Sequence, residues 1–241
     1  MISVSNKDFE HLAGFKGAGN PDGNYWFIGL EEGVKGEKGP EFEARLEREI
    51  KIRAKWQEIE DLHQMRRSIN ETMKTGPWTW RVMASIALSL DGDDGGETPA
   101  SYMQERLGRP DGETFLTDLF PLPTKEHNEN LWPFDTPYSS RKAYEDAMRC
   151  PRENLIRELW ARHSPRYVFC HGSTYSEAFE RLFPGEFRRY PFYKNDERTK
   201  LAHAVRVSRV GASLVVITNN FSVITGYRQI AQIVETVKRY D

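Results

Sequence analysis

The residues of this chain best suited to chemistry sit where apolar runs stop. Leu214 to Arg228 reads LVVITNNFSVITGYR: a β-branched strand breaks into short polar residues, and Tyr227 and Arg228 follow just before an amphipathic helix opens. Backbone N–H groups at such a helix start suit a phosphate, with Ser222 beside them and Arg228 adding a charge-assisted contact. A surface ion pair is the other reading of Arg228. The same layout recurs near the opposite end, where Tyr25 to Leu30 (YWFIGL) runs into Glu31, Glu32 and Gly33. Ligands of open α/β sheets bind outside the carboxyl ends of the strands, so these two strand ends are expected to line one pocket. Thr114 to Leu119 supplies a third polar end, Asp118. An ionised carboxylate only accepts hydrogen bonds, so Asp118 suits a partner with neighbouring donors, or else it caps a helix or turn.

Holding those ends in place requires strands that alternate with helices. Asn24 to Leu30, Thr114 to Leu119, Tyr167 to Cys170, Ala202 to Val210 and Leu214 to Thr218 read as strands, the last two turning at Gly211. Trp80 to Leu90, Ser139 to Arg162 with a break or fresh start at Pro151, Thr174 to Phe183 and Gly226 to Arg239 read as helices. Pro40 to Met73 is dense in alternating charge, with Leu46, Ile50, Trp56, Ile59, Leu62 and Met65 at roughly helical spacing. It reads as one long or two shorter surface helices with a solvated, salt-bridged face. The first ~23 residues read as a short apolar-spotted segment and a turn-rich link, GFKGAGNPDG. The alternation predicts an α/β fold with a mainly parallel sheet covered on both faces.

The chain has 241 residues, which fits one generous domain over 1–241. With 34 Lys plus Arg against 36 Asp plus Glu, the net charge of −2 carries no overall basic field, so any nucleic-acid contact must be local. Two cysteines, Cys150 and Cys170, exclude a disulfide scaffold, a four-thiolate zinc site and a four-cysteine iron–sulfur cluster from one chain. His171 and His203 lack metal-ligand spacing, so neither metal nor cofactor is expected. No charged-then-apolar leader opens the sequence and no apolar run approaches the ~20 residues that span a bilayer. A soluble, cytoplasmic protein without membrane contact is expected.

Taken in order, the strand ends carry a resemblance. Gly29, Leu30, Glu31, Glu32, Gly33 stands where one superfamily has GQDPY, GINPG or GEAPG, and Asn220, Phe221, Ser222 with Tyr227 and Arg228 matches the spacing of its HPSPLSVYR. Between them Phe115 to Leu119 falls at a strand that ends in Thr-Asn. Arg141, Glu145, Cys150, Pro151 and Leu155 fall close to an arginine, a glutamate, a Cys-Pro pair and a leucine. Pro165 to Gly172 is similar to PKVIVALG, and Gly76, Pro77, Trp78 to GxPF. The superfamily that these motifs resemble is that of uracil-DNA glycosylases. The likeness spans about Asn24 to Lys238, with a helical insertion at about 40–75.

The resemblance implies a three-layer α/β/α sandwich with a central mainly parallel sheet, binding a nucleic-acid base and cleaving its N-glycosidic bond without a cofactor. A catalytically silent binder of nucleic acid, nucleotide or protein is the alternative. Cleavage places positive charge on the sugar and negative charge on the departing base. The implied catalytic pair is Glu31, near the sugar, and Asn220, donating to the base; a loop carboxylate and a turn asparagine are the plain readings. Trp78 is implied as the stacking platform, against an ordinary core aromatic. Gly29, Leu30 and Asp118 are implied at the base, and Ser222, Tyr227, Arg228, His171 and Ser173 at phosphate. Because Asp118 replaces the base-reading asparagine, the expected base is one with adjacent donors rather than plain uracil. The expected partner is DNA or a nucleotide.

Overall fold

The computed structural model describes residues 2–31, 40–56, 58–92, 96–123, 134–135, 137–172, 175–193 and 204–241. Its strands are β1 (Ile2–Ser3), β2 (Gly17–Gly19), β3 (Tyr25–Gly29), β4 (Ile59–Glu60), β5 (Thr114–Asp118), β6 (Phe134–Asp135), β7 (Tyr167–His171), β8 (Arg188–Tyr190), β9 (Val205–Val210) and β10 (Ser213–Thr218). Its α-helices are α1 (Asn6–Gly14), α2 (Pro40–Arg53), α3 (Leu62–Ser68) and α4 (Trp78–Asp91). The chain continues through α5 (Pro99–Glu105), α6 (Arg141–His163), α7 (Ser176–Leu182) and α8 (Tyr227–Lys238).

Eight strands form one sheet in the order β4-β2-β5-β3-β7-β10-β9-β8, and β1 pairs with β6 in a separate small one. The middle four, β5, β3, β7 and β10, run parallel. β9 and β8 extend one flank antiparallel, and β2 runs antiparallel to β5 on the other. These middle strands are almost wholly apolar because both faces are covered. Tyr25, Phe27, Tyr167, Phe169, Leu214 and Val216 point toward α4, α5 and α8. Their neighbours Trp26, Ile28, Val168, Cys170, Val215 and Ile217 pack with α1, α2, α6 and α7. The result is a mixed α/β, three-layer architecture with a mostly parallel sheet. The chain leaves β3 for β5 on one side and later reaches β7 on the other, so the strand order reverses at β3. A crevice opens at such a point.

Several expectations are revised. The link GFKGAGNPDG contains a strand, β2, with no β-branched residue to announce it. A Cβ on Gly17 would lie 2.4 Å from the Leu116 carbonyl oxygen, so only glycine allows this approach to β5. The segment at 40–75 forms two helices flanking β4, and it is not simply a solvated surface. Leu46 and Ile50 enter one core and Leu62 and Met65 the other, while Lys51 and Glu47 pair on the outside. Helix α6 runs straight through Pro151, although an interior proline costs about 3 kcal/mol. Buried Met148, Arg152 and Ile156 anchor it on both sides of that break.

Candidate functional site

Four parallel strands end level with one another, and their last inward-facing residues make a polar row in an otherwise apolar sheet. Gly29 is opposite Asp118, and His171 is opposite Thr218. Alternation along the strands puts all four on the α4 side, because Phe27, Phe169 and Val216 two residues earlier face that way. Gly29 lacks the side chain that would fill the row. A Cβ there would lie 2.2 Å from Asp118 Oδ1 and 3.1 Å from His171 Cε1. Carboxylate and imidazole therefore come together over bare backbone.

The His171 ring stacks on Phe221, with centroids 4.5 Å apart and planes at 16°. Burial pulls its pKa down to about 4, so at neutral pH the ring is uncharged and carries one donor and one lone pair. Its Nδ1 and the Thr218 Oγ1 are buried polar atoms without a hydrogen-bond partner among the described residues. Below Asp118, the Arg152 guanidinium donates to the carbonyl oxygens of Ala13 (3.0 Å), Phe15 (2.6 Å) and Asp118 itself (2.7 Å). Burial lowers the pKa of Arg152 to about 10, which leaves it protonated, and it clamps the end of β5 to the α1–β2 connection.

Above this floor opens a cavity of about 580 Å³ lined by Phe27, Glu31, Asp118, His171, Asn220 and Trp80 among others. That is a volume typical of small-ligand sites. Asn220 caps the 3-10 turn Phe221–Val223: its Oδ1 accepts the Ser222 N–H at 3.0 Å. The amide nitrogen makes no hydrogen bond to a described residue, which leaves a donor at the cavity wall. Glu31 accepts from Arg141 Nη2 at 2.7 Å, and Arg141 Nε donates to Glu145 at 2.6 Å. Burial works against the charge on Arg141, but hydrogen bonds and the two carboxylates raise its pKa overall.

The cavity thus gathers Leu30, Glu31, Asp118, His171, Asn220 and Ser222 from segments far apart in sequence, with Gly29 beneath them. Trp78 is not among the lining residues. Its ring is 39% exposed, and its indole donates to the Ile224 carbonyl outside the cavity. Trp80 forms the wall instead, because two residues along a helix point to nearly opposite sides. The spacing of Trp80, Met83 and Ala87 already carried that signal. Tyr227, 69% exposed, and Arg228 lie outside the lining. His171, neutral and buried, has no positive charge to offer a phosphate, so the expected phosphate contact gives way to a place on the floor. The N–H groups of Ser222 and Thr225 bond to Asn220 and Gln229 side chains, which leaves fewer for an anion. Ser173, Glu32, Gly33 and His203 lie outside the described residues.

Sequence reasoning passed over several contributors. Arg53, Trp56 and Arg66 of the segment at 40–75 line the cavity. The signal for Arg53 was the Leu46, Ile50, Arg53 face of α2, where an arginine occupies an inward helical position. Among the described residues no group of three or more His, Cys, Asp and Glu is placed to hold a metal ion, and no helix is long and apolar enough to cross a membrane. The chain matches no family model and no curated protein.

Proposed function

We propose that this cavity binds a nucleic-acid base and that the protein hydrolyses the base's N-glycosidic bond, as a divergent relative of the uracil-DNA glycosylases. The observation that carries this reading is the convergence of Asp118, His171, Asn220 and Glu31 on one cavity. Asp118 accepts from adjacent donors, such as N1–H and the exocyclic amine of guanine or the protonated edge of cytosine. Neutral His171 adds one donor or acceptor beside it. The Asn220 amide donates to the base as it gains negative charge, and Glu31 faces the sugar as it gains positive charge. Water then bonds to the anomeric carbon while the C–N bond breaks. The base leaves with the bonding pair and takes up one proton of that water.

One observation favours a second reading, base binding without turnover. Glu31 is held in a buried chain with Arg141 and Glu145, which offsets the charge that the sugar cation needs. A single experiment separates the two. Nucleosides, nucleotides and oligonucleotides carrying varied bases are incubated with the protein and with Glu31→Gln, and released base is measured. Release that the variant loses supports hydrolysis. Base binding with no release supports the silent form. A clear preference for uracil would refute the assignment of Asp118.

A further inference from the structure

Burying a guanidinium is costly unless an anion compensates it. Three arginines lining the cavity are more than nine-tenths buried: Arg53 at 6%, Arg66 at 9% and Arg152 at 2% exposure. Arg152 donates from Nη1 and Nη2 to backbone carbonyls, and its Nε has no hydrogen-bond partner among the described residues. The other two come from α2 and α3, the segment with no counterpart in the motifs above. Arg53 lies over the Trp56 ring at 5.2 Å, and Arg66 over the Trp80 ring at 5.0 Å. Carboxylates accompany them, Glu49 beside Arg53 and Glu71 beside Arg66. The Arg66 Nε, like that of Arg152, nevertheless remains buried with no hydrogen-bond partner among the described residues. Arg53 and Arg66 both line the ligand-sized cavity, and guanidiniums bordering it suit an anion with several acceptor oxygens, which phosphate supplies.

The geometry also distinguishes forms of phosphate. Phosphodiesters of a polymer run across a protein surface, where exposed arginines meet them. Guanidiniums as buried as Arg53 and Arg66 reach only a phosphate that enters the cavity itself. We propose that the ligand is a free nucleoside monophosphate, its base over Asp118 and His171 and its phosphate at Arg66 and Arg53. This rests on the base-binding reading above and replaces a polymer by a mononucleotide.

Titration calorimetry on the full chain tests it with guanosine, cytidine and uridine, their 5′-monophosphates, inorganic phosphate and a single-stranded dodecamer. The expected result is a monophosphate bound at least about tenfold tighter than its nucleoside, which corresponds to 1.4 kcal/mol. Inorganic phosphate should compete with it, and Arg66→Met should remove the gain while nucleoside affinity stays. Equal affinity for nucleoside and nucleotide, or a dodecamer that binds tighter than any monophosphate, overturns the inference and leaves the base site standing. Phosphate binding with no contribution from any base refutes the base-binding reading and the nucleotide with it. Where Arg66→Met fails to fold, the wild-type ranking and the phosphate competition decide alone.

Discussion

Asp118 and His171 meet over the Cα of Gly29, on three adjacent strands whose ends are level. The hole exists because one residue has no side chain. Gly29→Ala puts a methyl 2.2 Å from the Asp118 carboxylate, so the carboxylate must move off the floor. The overpacking should cost about 1–3 kcal/mol. Base or nucleotide binding should fall by at least about tenfold, a further 1.4 kcal/mol. Thermal unfolding and calorimetry of the same sample measure both. Unchanged binding in a folded variant would remove the floor from the site.

The buried imidazole links stability to pH. The His171 pKa is 6.5 in the absence of the fold and about 4 within it. Between those values the unfolded chain binds more protons than the native one, so stability is full above about 6.5 and falls as pH drops toward 4. The loss reaches about 3 kcal/mol. His63, also buried, has its pKa lowered and acts in the same direction, so the measurement is a difference. Urea unfolding of wild type and His171→Asn at pH 7, 5.5 and 4 should show a shallower dependence in the variant.

The frame was legible where a single physical signal dominated. Phe169, Val215 and Val216 lie in runs too apolar for anything but strands buried on both faces, and the polar residues that end those runs became the cavity floor. Legibility failed where packing overrode local preference. Gly17 and Gly19 form a strand because β5 approaches too closely for any side chain, a fact that belongs to β5 and not to the link. Pro151 did not end α6, since the anchors around it outweigh the lost bond. Charge hid the inward side of the segment at 40–75. Arg53 and Arg66 read as solvated until the rings of Trp56 and Trp80 placed them inside.

Arg152 makes a prediction about shape rather than charge. Its planar fork spans carbonyls on α1, on the link after it and on β5. A lysine keeps the charge but offers one nitrogen, which cannot reach all three. Arg152→Lys should therefore destabilise by about 2–4 kcal/mol, as buried carbonyls lose their donors. It should also weaken base binding, because Asp118 loses the clamp behind it. Denaturant midpoints report the first effect and nucleoside affinity the second. A fully stable Arg152→Lys would show that those carbonyls find water instead.

The pair Glu31–Arg141 separates stability from chemistry. Both side chains are 4% exposed, so removing one partner strands a buried charge. Arg141→Met should cost about 3–5 kcal/mol, and Glu31→Gln less, because the neutral amide still accepts from the guanidinium. Combining the two should recover part of the loss, as a double-mutant cycle in urea will show. Base release should behave differently. If the carboxylate meets the sugar cation, Glu31→Gln abolishes release while nucleoside affinity holds, and folded Arg141→Met releases base faster than wild type because its carboxylate is no longer neutralised. If the pair is only a strut, both variants bind as well as wild type and release changes in neither. Single-turnover rates on folded protein distinguish these outcomes, and equal rates in all three proteins would assign Glu31 to the scaffold.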